Sequence, residues 1–307
     1  MRNPALNALA SPYLLLTLTA LIWAGHTIVV RGTAGEIPPL GFAFWRWAVA
    51  ALVLLPFGLP VLWRHRAVVR RHIRLITLLS ACQATGFSAF VYVGLQYTDA
   101  VNGSLLQGSL PINVVVIAWL ITGATITARQ SVGVATGFAG LAMIVLRGDP
   151  AAAVELRLNI GDLMMWAGVA CSAAFSVLLR RAPRELDATA LTTVNGIIGS
   201  ALLLPLYAWE WADGRPMPFD ATALAAIAYV SVFSSVIAQV FWVMGVSRVG
   251  PATASYFIYL TPVFGTIMAI AILGESFGWF HAAGIALIFG GIWLATGSGT
   301  RSSRREG

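Results

Sequence analysis

Lysine is missing from this chain of 307 residues, so every strongly basic side chain is an arginine. That alone rules out the G-x-x-x-x-G-K-[ST] nucleotide-binding loop. Charge of either sign is scarce: Asp, Glu, Lys and Arg make up 10% of the chain, against about 25% in an ordinary soluble domain. Cysteine is limited to Cys82 and Cys171, both inside apolar stretches, which excludes a disulfide framework and any thiolate metal spacing. No H-E-x-x-H occurs, and no pair of carboxylates lies within an apolar run. These gaps leave no catalytic set, no metal site and no cofactor-binding motif to expect. The chain does not read as an enzyme.

What remains is apolar. Hydrophobic residues make up 58% of the chain, and the mean hydropathy is +0.82. A membrane-spanning helix needs about 20 mostly apolar residues. Ten such runs fit, at roughly 12–31, 38–62, 73–97, 100–122, 130–147, 160–180, 188–209, 220–245, 251–273 and 278–297. The first is long for a signal-peptide core and has no convincing cleavage site, so it counts as a span. The alternating polarity of a membrane β-barrel is lacking. The expected fold class is an all-α membrane protein of ten transmembrane helices.

The arginines set the expected orientation. "RHRAVVRRHIR" (64–74) separates the second and third runs, and "RRAPRE" (180–185) the sixth and seventh. Arg129, Arg248 and the tail Arg301, Arg304 and Arg305 fall on the same side if there are ten spans. That side is expected to be the cytoplasm, with both termini there, in a cell inner membrane. The other connections hold Glu36, Asp99, Asp149, Glu155, Glu210, Asp213, Asp220 and Glu275. The net charge of +7 therefore belongs to membrane topology, and no nucleic-acid partner is expected.

The chain also repeats itself. "GLQYTDAVNGSLLQGSLPINVVVIAWLITG" from Gly94 aligns with "GVSRVGPATASYFIYLTPVFGTIMAIAILG" from Gly245 at a shift of 151 residues. The shift pairs Ser104 with Ser255, Pro111 with Pro262, Gly123 with Gly274, Gly133 with Gly284 and Gly140 with Gly291. Glycine and proline at matched positions carry backbone meaning. Two five-helix halves follow, residues 1–149 and 150–307, and because five is odd the second lies inverted. Inverted repeats are an architecture of alternating access around a central site.

Duplicated five-helix halves, each ending in a P…G…G pattern, resemble the EamA branch of the drug/metabolite transporter superfamily. "TPVFGTIMAIAILGESFGWFHAAGIALIFGGIWL" carries the resemblance most closely, and "LIWAGHTIVVRG" resembles the family's opening helix. The first half departs from the pattern at Ala124, where the family usually has Glu, so only Glu275 keeps that acid. The resemblance covers the whole chain and implies a secondary transporter. Aromatic amino acid exporters are the members it points to.

At about 100° per residue, Ser104, Gly108 and Pro111 share one face of the fourth run. Ser255, Tyr259, Pro262 and Thr266 share the equivalent face of the ninth. Such stripes face protein or a water-filled cavity, not lipid. Trp23, His26 and Thr27 form a stripe in the first run; Trp166, Ser172 and Ser176 are read as aligned on one face of the sixth, and Ser231, Ser235 and Trp242 on one face of the eighth, with Gln239 beside them. The expected substrate lining is Trp23, His26, Ser104, Trp166, Ser172, Ser235, Gln239, Trp242, Ser255 and Tyr259, with Pro111 and Pro262 as hinges. The alternative is helix packing through small residues, and for His26 a hydrogen bond to a neighbour is as good a reading. Arg46 is expected to snorkel outward or to pair with an outer acid. The glycines of "GVATGFAG" (133–140) and "GIALIFGG" (284–291) suit close packing or a subunit contact, which allows a homodimer.

A lining of rings and neutral polar groups suits a neutral or aromatic amino acid, exported across the bilayer. A sugar-phosphate carrier of the same superfamily and a non-transporting receptor are the alternatives.

Overall fold

The computed structural model describes residues 11–296 except 34, 99, 155, 157, 274 and 275. Asp99, Glu155, Gly274, Glu275 and the arginines of the tail lie outside the described residues. The described chain is helical in all its long elements: α1 (Pro12–Gly32), α2 (Pro39–Arg64), α3 (Ile73–Gly94), α4 (Val101–Thr122), α5 (Ala128–Val145), α6 (Ile160–Arg181), α7 (Ala188–Ala212), α8 (Ala221–Val249) and α10 (Trp279–Thr296). Among the described residues these nine are long and apolar enough to cross a membrane. Between α8 and α10 runs α9, in three consecutive pieces: Pro251–Tyr256, a 3-10 turn at Phe257–Tyr259, and Leu260–Leu273. The break keeps any single piece of α9 below spanning length. Leu52, Phe57, Trp63, Leu120, Trp209 and Trp293 are exposed on the outside, as suits a surface whose solvent is hydrocarbon.

The helices pair in a pattern that survives adding five to each number. α2 packs against α7, and α5 against α10. α6 packs against α3 and α4, as α1 does against α8 and α9. This is the packing expected of two like halves.

The α5–α10 contact explains the glycine stripes. A Cβ at Gly140 would lie 2.7 Å from the Gly284 carbonyl oxygen, and one at Gly284 would lie 2.7 Å from that of Gly140. Gly133 and Gly291 meet in the same way, also at 2.7 Å. The glycines thus let two backbones touch within one chain. They are used internally and give no argument for a homodimer. Gly123 has a different reason: it ends α4 at φ +67°, a left-handed value that favours glycine.

Two polar anchors sit near the loop ends. Glu210, expected in a loop, is buried at the end of α7. Its carboxylate accepts from Leu40 N at 3.3 Å and Gly41 N at 2.7 Å, capping the start of α2. Asp162 accepts from Asn102 Nδ2 at 3.0 Å, from Asn159 N at 2.9 Å and from the Thr98 hydroxyl, which ties the start of α6 to α4. Asn102 thus packs against a neighbour.

Two π-helical turns, Ala81–Phe87 in α3 and Val230–Ala238 in α8, have no counterpart in the sequence reading. The Ser235 hydroxyl donates to the Val230 carbonyl, five residues back, at 3.1 Å. Shifted by 151, the first turn falls on 232–238, inside the second, so the halves share this irregularity as well.

Candidate functional site

A cavity of about 370 Å³ lies among α1 to α6, α8 and α9, within the size range of small-molecule sites. It is offset along the bundle. Its residues on α1 (Trp23 to Arg31) come late in that helix, while Arg46 on α2 and Ser104 to Leu110 on α4 come early in theirs. The cavity therefore lies toward the end carrying the α1–α2 and α3–α4 connections. At the opposite end Leu16, Ile76, Leu79, Trp242 and Val246 are buried in one cluster. There Leu16 fills the space beside Gly245, and Tyr13 stacks on Phe257 at 5.8 Å.

Of the expected lining, Trp23, His26, Ser104, Ser172, Gln239 and Tyr259 border the cavity, as does Pro262. Trp23 lies 5.3 Å from the Trp242 ring. Trp242 itself is buried, and its Nε1 donates to Ser176 Oγ at 3.2 Å, so it braces Trp23 from outside the lining. Tyr259 offers the cavity its ring only, because its hydroxyl donates to the Val134 carbonyl at 3.2 Å.

Besides Trp242, four expected residues stand elsewhere. Trp166 is 49% exposed on the outside of α6. Six residues separate it from Ser172, which is about 240° around a helix, so the two were never on one face. Ser255 is buried toward the packed end, its hydroxyl turned back to the Ala252 carbonyl at 2.7 Å. Ser235 sits behind the lining and holds a lining residue, Arg46. Pro111 is buried just behind Leu110 and is absent from the lining.

Arg46 is the main correction. It does not snorkel outward: it is 3% exposed and borders the cavity. Its Nε donates to Ser235 Oγ at 3.0 Å, and one terminal nitrogen donates to the Tyr92 hydroxyl and lies 3.4 Å from His26 Nε2. The guanidinium lies 5.2 Å from the Trp47 ring centre and 5.5 Å from that of Tyr92. All of these partners are neutral. Among the described residues the one ion pair is Arg215 with Asp213, so no carboxylate answers Arg46. Tyr92, accepting from Arg46, passes its own proton toward His26 Nε2 at 2.8 Å, and that imidazole nitrogen acts as an acceptor. His26 thus takes both expected roles at once, bordering the cavity and bonding a neighbour. Arg31 also borders the cavity and donates to Ser104 Oγ at 2.8 Å. The lining is therefore cationic, against the expectation of neutrality.

The described residues form a bundle of membrane-spanning helices around an offset, polar-headed cavity, the build of a carrier. The sequence pattern of the EamA-like transporter family matches residues 10–146 and again 159–297, and the chain belongs to that family. It is a membrane transporter, not an enzyme. YyaM, an uncharacterized transporter of Bacillus subtilis, is 28% identical over 279 residues, covering 90% of each chain. An uncharacterized transporter of Archaeoglobus fulgidus is 29% identical over 92% of this chain and 96% of its own. A probable terminal-alkyne amino-acid exporter of Streptantibioticus cattleyicolor is 27% identical over 294 residues, 95% of each chain. A protein of known crystal structure, 19% identical, superposes with a TM-score of 0.76 over 93% of this chain and 96% of its own, a likeness of fold.

Proposed function

We propose that this transporter exports neutral and aromatic amino acids by alternating access. The observation that carries the reading is Arg46: a buried guanidinium without a carboxylate partner among the described residues, at the edge of a cavity otherwise rich in apolar groups. An isolated charge away from water is costly. A substrate carboxylate supplies the missing counter-ion through a planar, two-pronged contact. Trp23, Phe87, Leu141, Val169, Ile258 and the Tyr259 ring leave an apolar space for the rest of the substrate. The amino-acid exporter among the relatives supports the same class. The arginines could also meet the charge of a phosphorylated substrate, but a sugar would leave its hydroxyls facing that apolar wall. The deciding experiment is uptake into proteoliposomes. Phenylalanine or tryptophan should be carried, and exchange of a sugar phosphate with no amino acid flux would overturn the assignment.

The proposed architecture is two inverted halves, dividing between residues 149 and 150, with both termini in the cytoplasm of an inner membrane. On that orientation the cavity lies toward the outside. In a cysteine-free background, a Val68→Cys protein should resist impermeant thiol reagents in intact cells; labelling from outside would reverse the topology.

Pro111 and Pro262 are the proposed hinges. Each follows a break: α4 divides between Gly108 and Leu110, and α9 turns at Phe257–Tyr259. Replacing both with alanine should slow transport while substrate binding holds; an unchanged rate would remove the hinge.

A further inference from the structure

The two π-helical turns meet at a pair of glutamines. Gln83 lies within the first turn, and Gln239 directly follows the second. Gln83 Nε2 donates to Gln239 Oε1 at 3.1 Å. Both side chains border the cavity, with exposures of 3% and 1%. That single bond leaves Gln83 Oε1 and Gln239 Nε2 buried and without partners. Whichever amide donates, one carbonyl and one NH₂ remain over. Buried polar atoms are normally bonded, and an unpaired one inside a membrane protein is costly unless something fills its place.

The two free groups make different demands. A bare cation satisfies the carbonyl and leaves the NH₂ empty, while an anion does the reverse. A ligand with a donor and an acceptor on neighbouring atoms satisfies both. Gln239 also stands one helical turn beyond Ser235, which holds Arg46 Nε, so its amide and the guanidinium share one face of α8. Ser234, at the position the 151-residue shift pairs with Gln83, borders the same cavity with its hydroxyl unpartnered.

We infer that the Gln83–Gln239 pair is the subsite for the α-amino group of the substrate. The substrate ammonium donates to the free glutamine carbonyl. Its carboxylate lies between Arg46 and the free glutamine NH₂. This rests on the amino acid reading above and adds to it a requirement for the ammonium beside the carboxylate. π-turns displace the ladder by one residue and recur at functional sites; here they bring an amide from each half to the cavity.

Three probes test the inference through their inhibition of labelled L-phenylalanine uptake in proteoliposomes. L-Phenylalanine carries both head groups, 3-phenylpropionate lacks the ammonium, and phenethylamine lacks the carboxylate. The wild-type protein should prefer phenylalanine over 3-phenylpropionate by about tenfold or more, the ratio one charge-assisted hydrogen bond sustains. Gln83→Met and Gln239→Met should each bring that ratio toward one by weakening phenylalanine. The ratio is internal to each variant, so a merely less stable protein keeps it. An unchanged ratio in both variants would overturn the subsite while leaving amino acid transport standing. Absence of phenylalanine uptake by the wild type would remove both readings before any variant is made.

Discussion

Arg46→Met is expected to lower phenylalanine uptake by about a hundredfold or more while the purified protein melts no lower than wild type. A two-pronged guanidinium–carboxylate contact contains two charge-assisted bonds, each contributing about 1.5–3 kcal/mol. The stability half of the expectation follows from the neighbours. Ser235 keeps its bond to the Val230 carbonyl and Tyr92 its bond to His26, so neither is orphaned. Removing a buried charge that has no counter-ion, in favour of an apolar chain of similar volume, is often neutral or stabilising. Arg46→Lys keeps the charge, loses the fork and should fall between. Uptake and thermal melting of the same preparations decide the matter. Near-wild-type uptake in Arg46→Met would end the anchoring role, and a collapse of melting temperature would make the residue structural.

Gly140→Leu should have the largest effect on folding. The new side chain must begin 2.7 Å from the Gly284 carbonyl and 2.9 Å from Ile288 N, both backbone atoms that no rotamer can move. Ordinary overpacking costs about 1–3 kcal/mol. Here α5 and α10 must separate along their length, so the expected result is a loss of most monodisperse protein, read by size-exclusion chromatography in detergent. Gly290→Leu is the control on α10, since nothing lies within 4 Å of its Cβ position, and it should behave as wild type. Equal behaviour of the two variants would show that the close backbone approach is dispensable.

Much of the fold was legible because hydrocarbon thickness imposes run length. The run at 38–62 became Pro39–Arg64, and that at 188–209 became Ala188–Ala212. The repeat was legible through glycine and proline, whose backbone roles leave sparse but fixed marks. The site was less so. A stripe drawn at 100° per residue names a face without saying how deep it sits, so Ser255 fell at the packed end. Arg46 was visible as a costly residue, but a long side chain near a helix start can reach outward or inward, and only its neighbours Ser235, Tyr92 and His26 settle which. The π-turns left no trace in composition, since a change of hydrogen-bond register needs no special residue. Gln83 and Gln239 were the available signal. Each is an amide in an apolar run, and the repeat shift pairs both with serines, Ser234 and Ser88.

On the proposed alternating-access cycle, the charge of Arg46, which has no carboxylate partner among the described residues, would couple the carrier to voltage. A cavity open to one side sits near that side's electrical potential, and moving one charge through the whole field is worth about 2.3 kcal/mol per 100 mV. With the cell interior negative, the guanidinium favours the state whose cavity opens to the cytoplasm. A zwitterion adds no net charge, so the bias is the same for the empty and the loaded carrier. The resting potential then returns an exporter of zwitterions to the side where its cargo waits, and opposes its outward stroke by the same amount. A cargo of net charge −1 would cancel that bias while bound.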